Sequence, residues 1–460
     1  MRSPRLARAL RLVVVLAVLG ACSSTERATA STKAPAFLVT RLGGTTSARE
    51  FRGRPFNQSA RSLSNSEFQR FGTGAVVFDQ RLTAAQGLGP TFNEDSCLGC
   101  HLDGVVFQPH TADDPGPGLL LRLSVPGTSP HGGPKPEPTY GTQLQTQALP
   151  GATAEGRLEV RWTARAGEYP DGTRYQLRVP TFYVTDLTAG PMAKDVMTSA
   201  RISPPMTGMG LLEAIPEASV VAAADPTDAN HDGISGRANR VWNDTTGQLD
   251  LGRFGWKAGQ PTVRQQSVGA LHDDMGITTS DVPTTCHNQG TACAEPAPAA
   301  PDMSDKDLAD QVFYNRTIAV PIARNVDDDR VKRGANQFVA VGCASCHTTT
   351  QRSGPDQVAG LANQTFHPFT DLLLHDMGKG LADGRPEFAA SGREWRTAPL
   401  WALGRRAETT KFHSLLHDGR ARTPEEAILW HDGEGRASRL AFMKLAAADR
   451  ADLLAFLAAL

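Results

Sequence analysis

Cys343-Ala344-Ser345-Cys346-His347 sets two thiols and an imidazole in one short run, and Cys97-Leu98-Gly99-Cys100-His101 repeats the pattern. In a C-x-x-C-H run both thiols can add to the vinyl groups of a haem as thioethers. The histidine that follows is then held close enough to become an axial iron ligand. Other uses of these residue types need other surroundings. A zinc half-site calls for further Cys or His ligands at short spacing, and a thioredoxin-like dithiol for a βαβ context. Neither is visible, and two copies in a chain of seven cysteines point to two covalently bound haem c groups.

Two further constellations could do chemistry. Glu213 lies inside the apolar run Met209-Gly210-Leu211-Leu212-Glu213-Ala214-Ile215. A buried carboxyl there would be hard to ionise and could shuttle a proton; a glutamate exposed at a helix end is the plainer alternative. Asp228, Asn230 and Asp232, followed by Gly233, fit the first half of a calcium loop, in which hard oxygen donors at alternating positions converge on one ion. Asn239 stands where an EF-hand has its twelfth-position glutamate. A plain Asp/Asn turn therefore competes with calcium binding.

The remaining cysteines fit a protein of the cell envelope. Arg2, Arg5, Arg8 and Arg11 lead into an apolar run, Leu12 to Leu19, that is too short to span a bilayer. The run ends Leu19-Gly20-Ala21-Cys22, which resembles a bacterial lipobox. That resemblance makes residues 1–21 a lipoprotein signal peptide and Cys22 a lipidated membrane anchor. With Ser23 following it, outer-membrane sorting in a Gram-negative host is the expectation, the chain facing the periplasm. An ordinary signal peptide with an incidental cysteine is the alternative. In such an oxidising compartment Cys286 and Cys293 are expected to pair as a disulfide. A formal net charge of -1 without a basic block argues against nucleic acid as a partner.

The elements that must position these groups are only partly periodic. Gly74-Ala75-Val76-Val77-Phe78 precedes the first haem motif, and Gly334-Ala335-Asn336-Gln337-Phe338 precedes the second. In each, glycine allows close approach to another helix or to the haem, and phenylalanine packs one turn on. The repetition reads as an internal duplication of a cytochrome c-like unit, with extra residues in the first copy. Leu158, Val160 and Trp162 alternate with polar residues, as do Tyr175, Leu177 and Val179, around a Pro170-Asp171-Gly172 turn; this predicts a β-hairpin. Ala446 to Leu460 reads as an apolar closing helix. With 44 Gly and 31 Pro, long loops are expected. The predicted fold is mainly α: two cytochrome c-like haem domains with long loops and a small β-hairpin embellishment in the first half. The expected divisions are a flexible tether at 22–50, an N-terminal haem domain with insertions at 51–302, and a C-terminal haem domain at 303–460, with the linker at 281–303.

These motifs and their order resemble the bacterial di-haem oxidoreductase family, within the superfamily of di-haem cytochrome c peroxidases. The resemblance runs from about Phe51 to Leu460. Its most specific stretches are Gly87-Leu88-Gly89-Pro90-Thr91-Phe92-Asn93, Gly252-Arg253-Phe254-Gly255-Trp256-Lys257-Ala258-Gly259-Gln260 and Asp371-Leu372-Leu373-Leu374-His375-Asp376-Met377-Gly378. A further stretch, His417-Asp418-Gly419 with Pro424-Glu425-Glu426-Ala427, is similar to the segment that, in di-haem peroxidases, leads to the second axial ligand of the C-terminal haem. That ligand is usually methionine; here the position holds His431. The resemblance thus implies a bis-histidine haem, His347 with His431, and two neutral imidazoles favour electron transfer over substrate binding. It also implies a peroxidase-like activity. A small donor protein, cytochrome c or cupredoxin-like, would supply electrons to the C-terminal haem, and the N-terminal haem at His101 would reduce peroxide or activate oxygen. Glu213 is the positional candidate for a catalytic glutamate over that haem. The competing reading is a non-catalytic electron-transfer or redox-sensing lipoprotein with both irons six-coordinate.

Overall fold

The computed structural model describes residues 32–48, 56–101, 116, 118–284, 299–409 and 414–460. Cys22, Cys286 and Cys293, and with them the expected lipid anchor and disulfide, lie outside the described residues.

Eleven helices are found in the described residues: α1 (Asn65–Asp79), α2 (Cys97–Cys100), α3 (Met209–Glu213), α4 (Glu217–Ala222), α5 (Val263–Met275), α6 (Asp305–Thr317), α7 (Asp329–Ala340), α8 (Leu403–Thr409), α9 (Pro424–Trp430), α10 (Arg436–Lys444) and α11 (Ala447–Ala459). Their starts follow local chemistry. Ser64 and Glu67 close a capping box on α1, and Ser304, Asp328 and Thr423 cap α6, α7 and α9 through their side chains.

The mainly α expectation is not met. Helix accounts for 29% of the described residues and strand for 20%, in small sheets of two or three strands. Strand Leu119–Thr128 pairs with Met197–Ile202 where the sequence reads as loop, and for most of the other strands the physical reason is length. Many of the strands have two to four residues, too few to carry a readable period-2 pattern, and they sit in Gly- and Pro-rich stretches that read as loop. The predicted hairpin is present and longer than its alternation suggested. Strands Arg157–Glu168 and Arg174–Thr185 pair over their full length. Its tip is docked: the Tyr169 hydroxyl donates to Glu425 at 2.6 Å, and Asp171 pairs with Arg450 at 2.6 Å.

Two helix crossings organise the molecule, and they are copies. In the first, α1 packs on α6. Arg70 pairs with Asp310 at 2.7 Å, a methyl on Gly74 would collide with the Asp310 carbonyl, and the Phe78 and Tyr314 rings lie 5.1 Å apart. In the second, α7 packs on α11. Arg330 pairs with Asp452 at 3.3 Å, a methyl on Gly334 would collide with the Asp452 carbonyl, and the Phe338 and Phe456 rings lie 5.3 Å apart. The two G-A-x-x-F patches therefore hold equivalent places. The helix after the linker, α6, packs back onto α1 across the expected boundary at 302/303. Residues 32–48, expected within a tether, are seated on the protein. Phe37 and Leu42 are buried, and Phe37 lies 5.8 Å from Phe369 and 6.2 Å from Phe456.

Candidate functional site

Each helix crossing delivers a histidine. Phe78 of α1 lies 6.2 Å from the His101 ring at 51°, and Phe338 of α7 lies 6.4 Å from the His347 ring at 54°. Both C-x-x-C-H runs begin as a single tight turn, which brings each histidine N–H onto the carbonyl of the first cysteine, Cys97 or Cys343, at 3.0 Å. The two histidines thus occupy the same position in two copies of one frame.

A single cavity of 580 Å³ is lined by both runs, through Cys97, Cys100, His101, Cys343, Cys346 and His347, and also by His431. Its wall is largely apolar, with Phe78, Met206, Met209, Leu212, Phe254, Trp256, Phe338, Ile428 and Leu457. The four cysteines of the motifs are free thiols. Burial pushes Cys97 and Cys343 up to about 12 and raises Cys100 and Cys346 as well, so none is an exposed nucleophile at neutral pH. Burial also pushes His101 and His347 down to about 4 and lowers His431, leaving neutral imidazoles suited to ligate a metal. The Phe369 carbonyl lies 2.9 Å from His347 Nδ1, and the Ala427 carbonyl 2.7 Å from His431 Nδ1. Each contact fixes a tautomer that leaves Nε2 with its lone pair for a ligand. His101 Nδ1 is buried without a hydrogen bond of good geometry, and the Pro204 carbonyl offsets the burial only slightly.

These residues fit haem. Paired thiols, a neutral imidazole beside each pair and an apolar cavity are what a covalently held porphyrin requires. Zinc fits less well. Cys346, Asp371 and His375 offer ligand atoms within 4.8 Å of one another, yet both nitrogens of His375 are taken, by Asp371 at 2.9 Å and Glu434 at 2.6 Å. Burial opposes charge on His375, but the hydrogen bonds of Asp371, Cys346 and Glu434 outweigh it and hold the ring up at about 12. It is a buried imidazolium between two carboxylates.

The other sequence candidates lie elsewhere. Glu213 does not line the cavity, although Met209 and Leu212 of the same helix do. Its carboxylate accepts from the Val263 backbone N–H at 2.7 Å and pairs with Arg316, which also holds Asp356 at 2.6 Å. Asp228, Asn230 and Asp232 form an exposed loop closed on itself. The Gly233, Asp232 and Ile234 amides donate to Asp228, Asn230 and Asp232 respectively. The bonds to Asn230 and Asp232 are Asx turns, and the one to Asp228 spans five residues; a plain turn accounts for all three.

Sequence reasoning passed over Asp274. It lines the cavity on α5, near Cys97 and Cys100, whose thiols feel its charge. Burial pushes it up to about 6 against the pull of Arg122 and of the Gln143 amide, which donates to Oδ1 at 2.8 Å. Its only signal was its place in His272-Asp273-Asp274-Met275, a stretch that echoes His375-Asp376-Met377. His417 stands out in the sequence only as a motif marker. It lies buried on the cavity wall, stacked on Trp395 at 3.6 Å, with the Lys257 ammonium 4.3 Å from the same indole.

Fold and site together set two equivalently framed C-x-x-C-H runs on one cavity. A family model described as "Di-haem oxidoreductase, putative peroxidase" matches residues 132–460, and the chain belongs to that family. Membership carries haem as cofactor. The matched span contains the second C-x-x-C-H run and His431 and begins after the first run. No curated protein and no solved structure matches the chain.

Proposed function

We propose that the chain is a c-type di-haem peroxidase of the cell envelope. Cys97 and Cys100 would bind one haem covalently with His101 on its iron, and Cys343 and Cys346 the other with His347 and His431. The observation that carries the reading is the single cavity onto which both thiol pairs and all three neutral histidines open. Haem bound there would supply one-electron redox chemistry and, where an axial position stays free, a place for peroxide.

The chain's own residues account for an asymmetry between the two positions. Around the second motif, the Phe369 and Ala427 carbonyls orient two imidazoles toward the same cavity, an arrangement for passing electrons. Around the first motif the wall carries Gln266, Ser267, Asp274 and Asn315. Asp274 can take a proton on Oδ2 near neutral pH while Gln143 holds Oδ1, the task that the sequence had given to Glu213. Electrons would come from a small redox protein outside the chain. Lipid attachment through Cys22 and a periplasm-facing place on the outer membrane belong to the same proposal and rest on the lipobox-like run.

A second reading, electron transfer or sensing alone, is favoured by the thioethers of Met206 and Met209 on the same wall, either of which could close the first iron. Electron paramagnetic resonance on oxidised and half-reduced holoprotein separates the two. A high-spin ferric signal beside a bis-histidine low-spin signal, with peroxide turnover by a reduced donor cytochrome, is the expected result. Two low-spin signals that persist on half-reduction, without turnover, would leave the carrier reading.

A further inference from the structure

Four arginines on the cavity wall are paired with carboxylates. Arg122 holds Asp273 at 2.6 Å, Arg201 and Arg385 hold Glu387 at 2.8 and 3.0 Å, and Arg439 holds Asp432 at 3.2 Å. Arg396 differs. It lines the cavity, is 8% exposed, and has no carboxylate within ion-pair range among the described residues. Its Nε donates to the Gly255 carbonyl at 3.0 Å and one terminal nitrogen to the Thr397 carbonyl at 3.1 Å. The nearby carboxylate whose field reaches it, Asp371, is bound to His375 and to the Leu373 amide. A buried guanidinium with only carbonyl partners leaves a net charge uncompensated, which a well-ordered site avoids by holding an anion.

Its position in the fold says which anion. The Thr397 carbonyl that takes its terminal nitrogen also accepts from the Thr370 hydroxyl at 2.6 Å, and the carbonyl of the preceding residue, Phe369, lies 2.9 Å from His347 Nδ1. Arg396 therefore stands in the second haem neighbourhood. A haem carries two propionate carboxylates, and covalent attachment through its vinyl edge would leave both at the opposite edge to be bound by the protein. We propose that Arg396 is the anchor for a propionate of the haem attached at Cys343 and Cys346. This rests on the haem reading given above and adds to it a residue that sets the charge around that iron. A cation beside the porphyrin favours the reduced form, because reduction removes one positive charge from the iron.

The test uses full-length holoprotein. Haem content, read as the pyridine haemochrome, and the reduction equilibrium of the low-spin bis-histidine haem are measured in wild type, Arg396→Gln and Arg396→Lys. Two haems per chain are expected in all three. Arg396→Gln should shift the equilibrium toward the ferric form by about tenfold or more, which for one electron is about 59 mV per tenfold. Arg396→Lys, which keeps the charge, should restore most of it. Haem retained with no shift in the Gln variant overturns the anchor while leaving the di-haem reading intact; a chain without haem overturns both. Added acetate distinguishes the source of the carboxylate. A wild-type potential that ignores acetate supports an internal propionate, and one that falls as acetate is added, with no such fall in the Gln variant, assigns the site to solution anions instead. Should the Gln variant fail to fold, a crystal structure of the wild-type holoprotein decides. Propionate oxygens on the guanidinium are expected, and propionates directed elsewhere would overturn the proposal.

Discussion

On the proposed di-haem reading, His431 decides the character of the second haem. The Ala427 carbonyl fixes its ring from within the same helix, so its contribution can be removed without disturbing a distant partner. His431→Ala is expected to convert the low-spin signal of that haem to high spin and to let added imidazole bind; a spectrum unchanged from wild type would exclude ligation. Asp274 governs the other position. Its carboxyl moves from 3.8, the usual aspartate value, to about 6, so the folded protein binds that proton more tightly than the unfolded chain does. The stability this contributes is fully present below pH 4 and is lost as pH rises through 6. Asp274→Asn should therefore flatten the stability profile between those values. If the carboxylate takes the peroxide proton, the variant should also lower turnover by ~10²-fold and remove the acid limb of the rate profile. Steady-state rates and chemical melts across pH 4 to 8 read both effects.

At the scale of elements, the duplicated helix crossing was half legible in the sequence. The C-x-x-C-H runs and the G-A-x-x-F patches stood out because they are short, chemically unusual and repeated. Their partners also repeat, as Ala309-Asp310-Gln311-Val312-Phe313-Tyr314 and Ala451-Asp452-Leu453-Leu454-Ala455-Phe456, but a shared Ala-Asp pair and an aromatic four residues after the Asp make a faint signal. The Pro-rich stretch before α6 gave no hint that α6 packs back onto α1. Cavity residues such as Arg396 and Asp274 were out of reach for another reason: what distinguishes them is the absence or weakness of a partner, and partners come from far along the chain. The crossings themselves are sensitive to volume. Gly334→Val should destabilise by ~3 kcal/mol or more, since its side chain meets the Asp452 carbonyl and Phe456 on the facing helix. Gly72→Ala, on α1 with open space around it, should gain up to about 1 kcal/mol. Thermal melts of the two variants should move in opposite directions.

At the scale of the whole molecule, the neighbourhoods of the two C-x-x-C-H runs are tied together. They share one cavity, the hairpin tip is held by Glu425 and Arg450, and the segment at 32–48 is seated on the second helix crossing. That segment carries weight through Phe37, wedged between Phe369 and Phe456. Phe37→Ala should cost about 3–5 kcal/mol, read as a lowered denaturation midpoint for the α7–α11 crossing. The same wedge bears on how the chain comes into being. Phe37 is made long before its partner Phe456, which stands near the end of α11. Synthesis and any vectorial passage of the chain run in one direction, so the second helix crossing stays incomplete until the final turn of α11 has emerged. Its apolar surfaces, Phe37 among them, wait in the open until then, and a chain cut short before α11 offers them to chaperones and proteases instead of to each other.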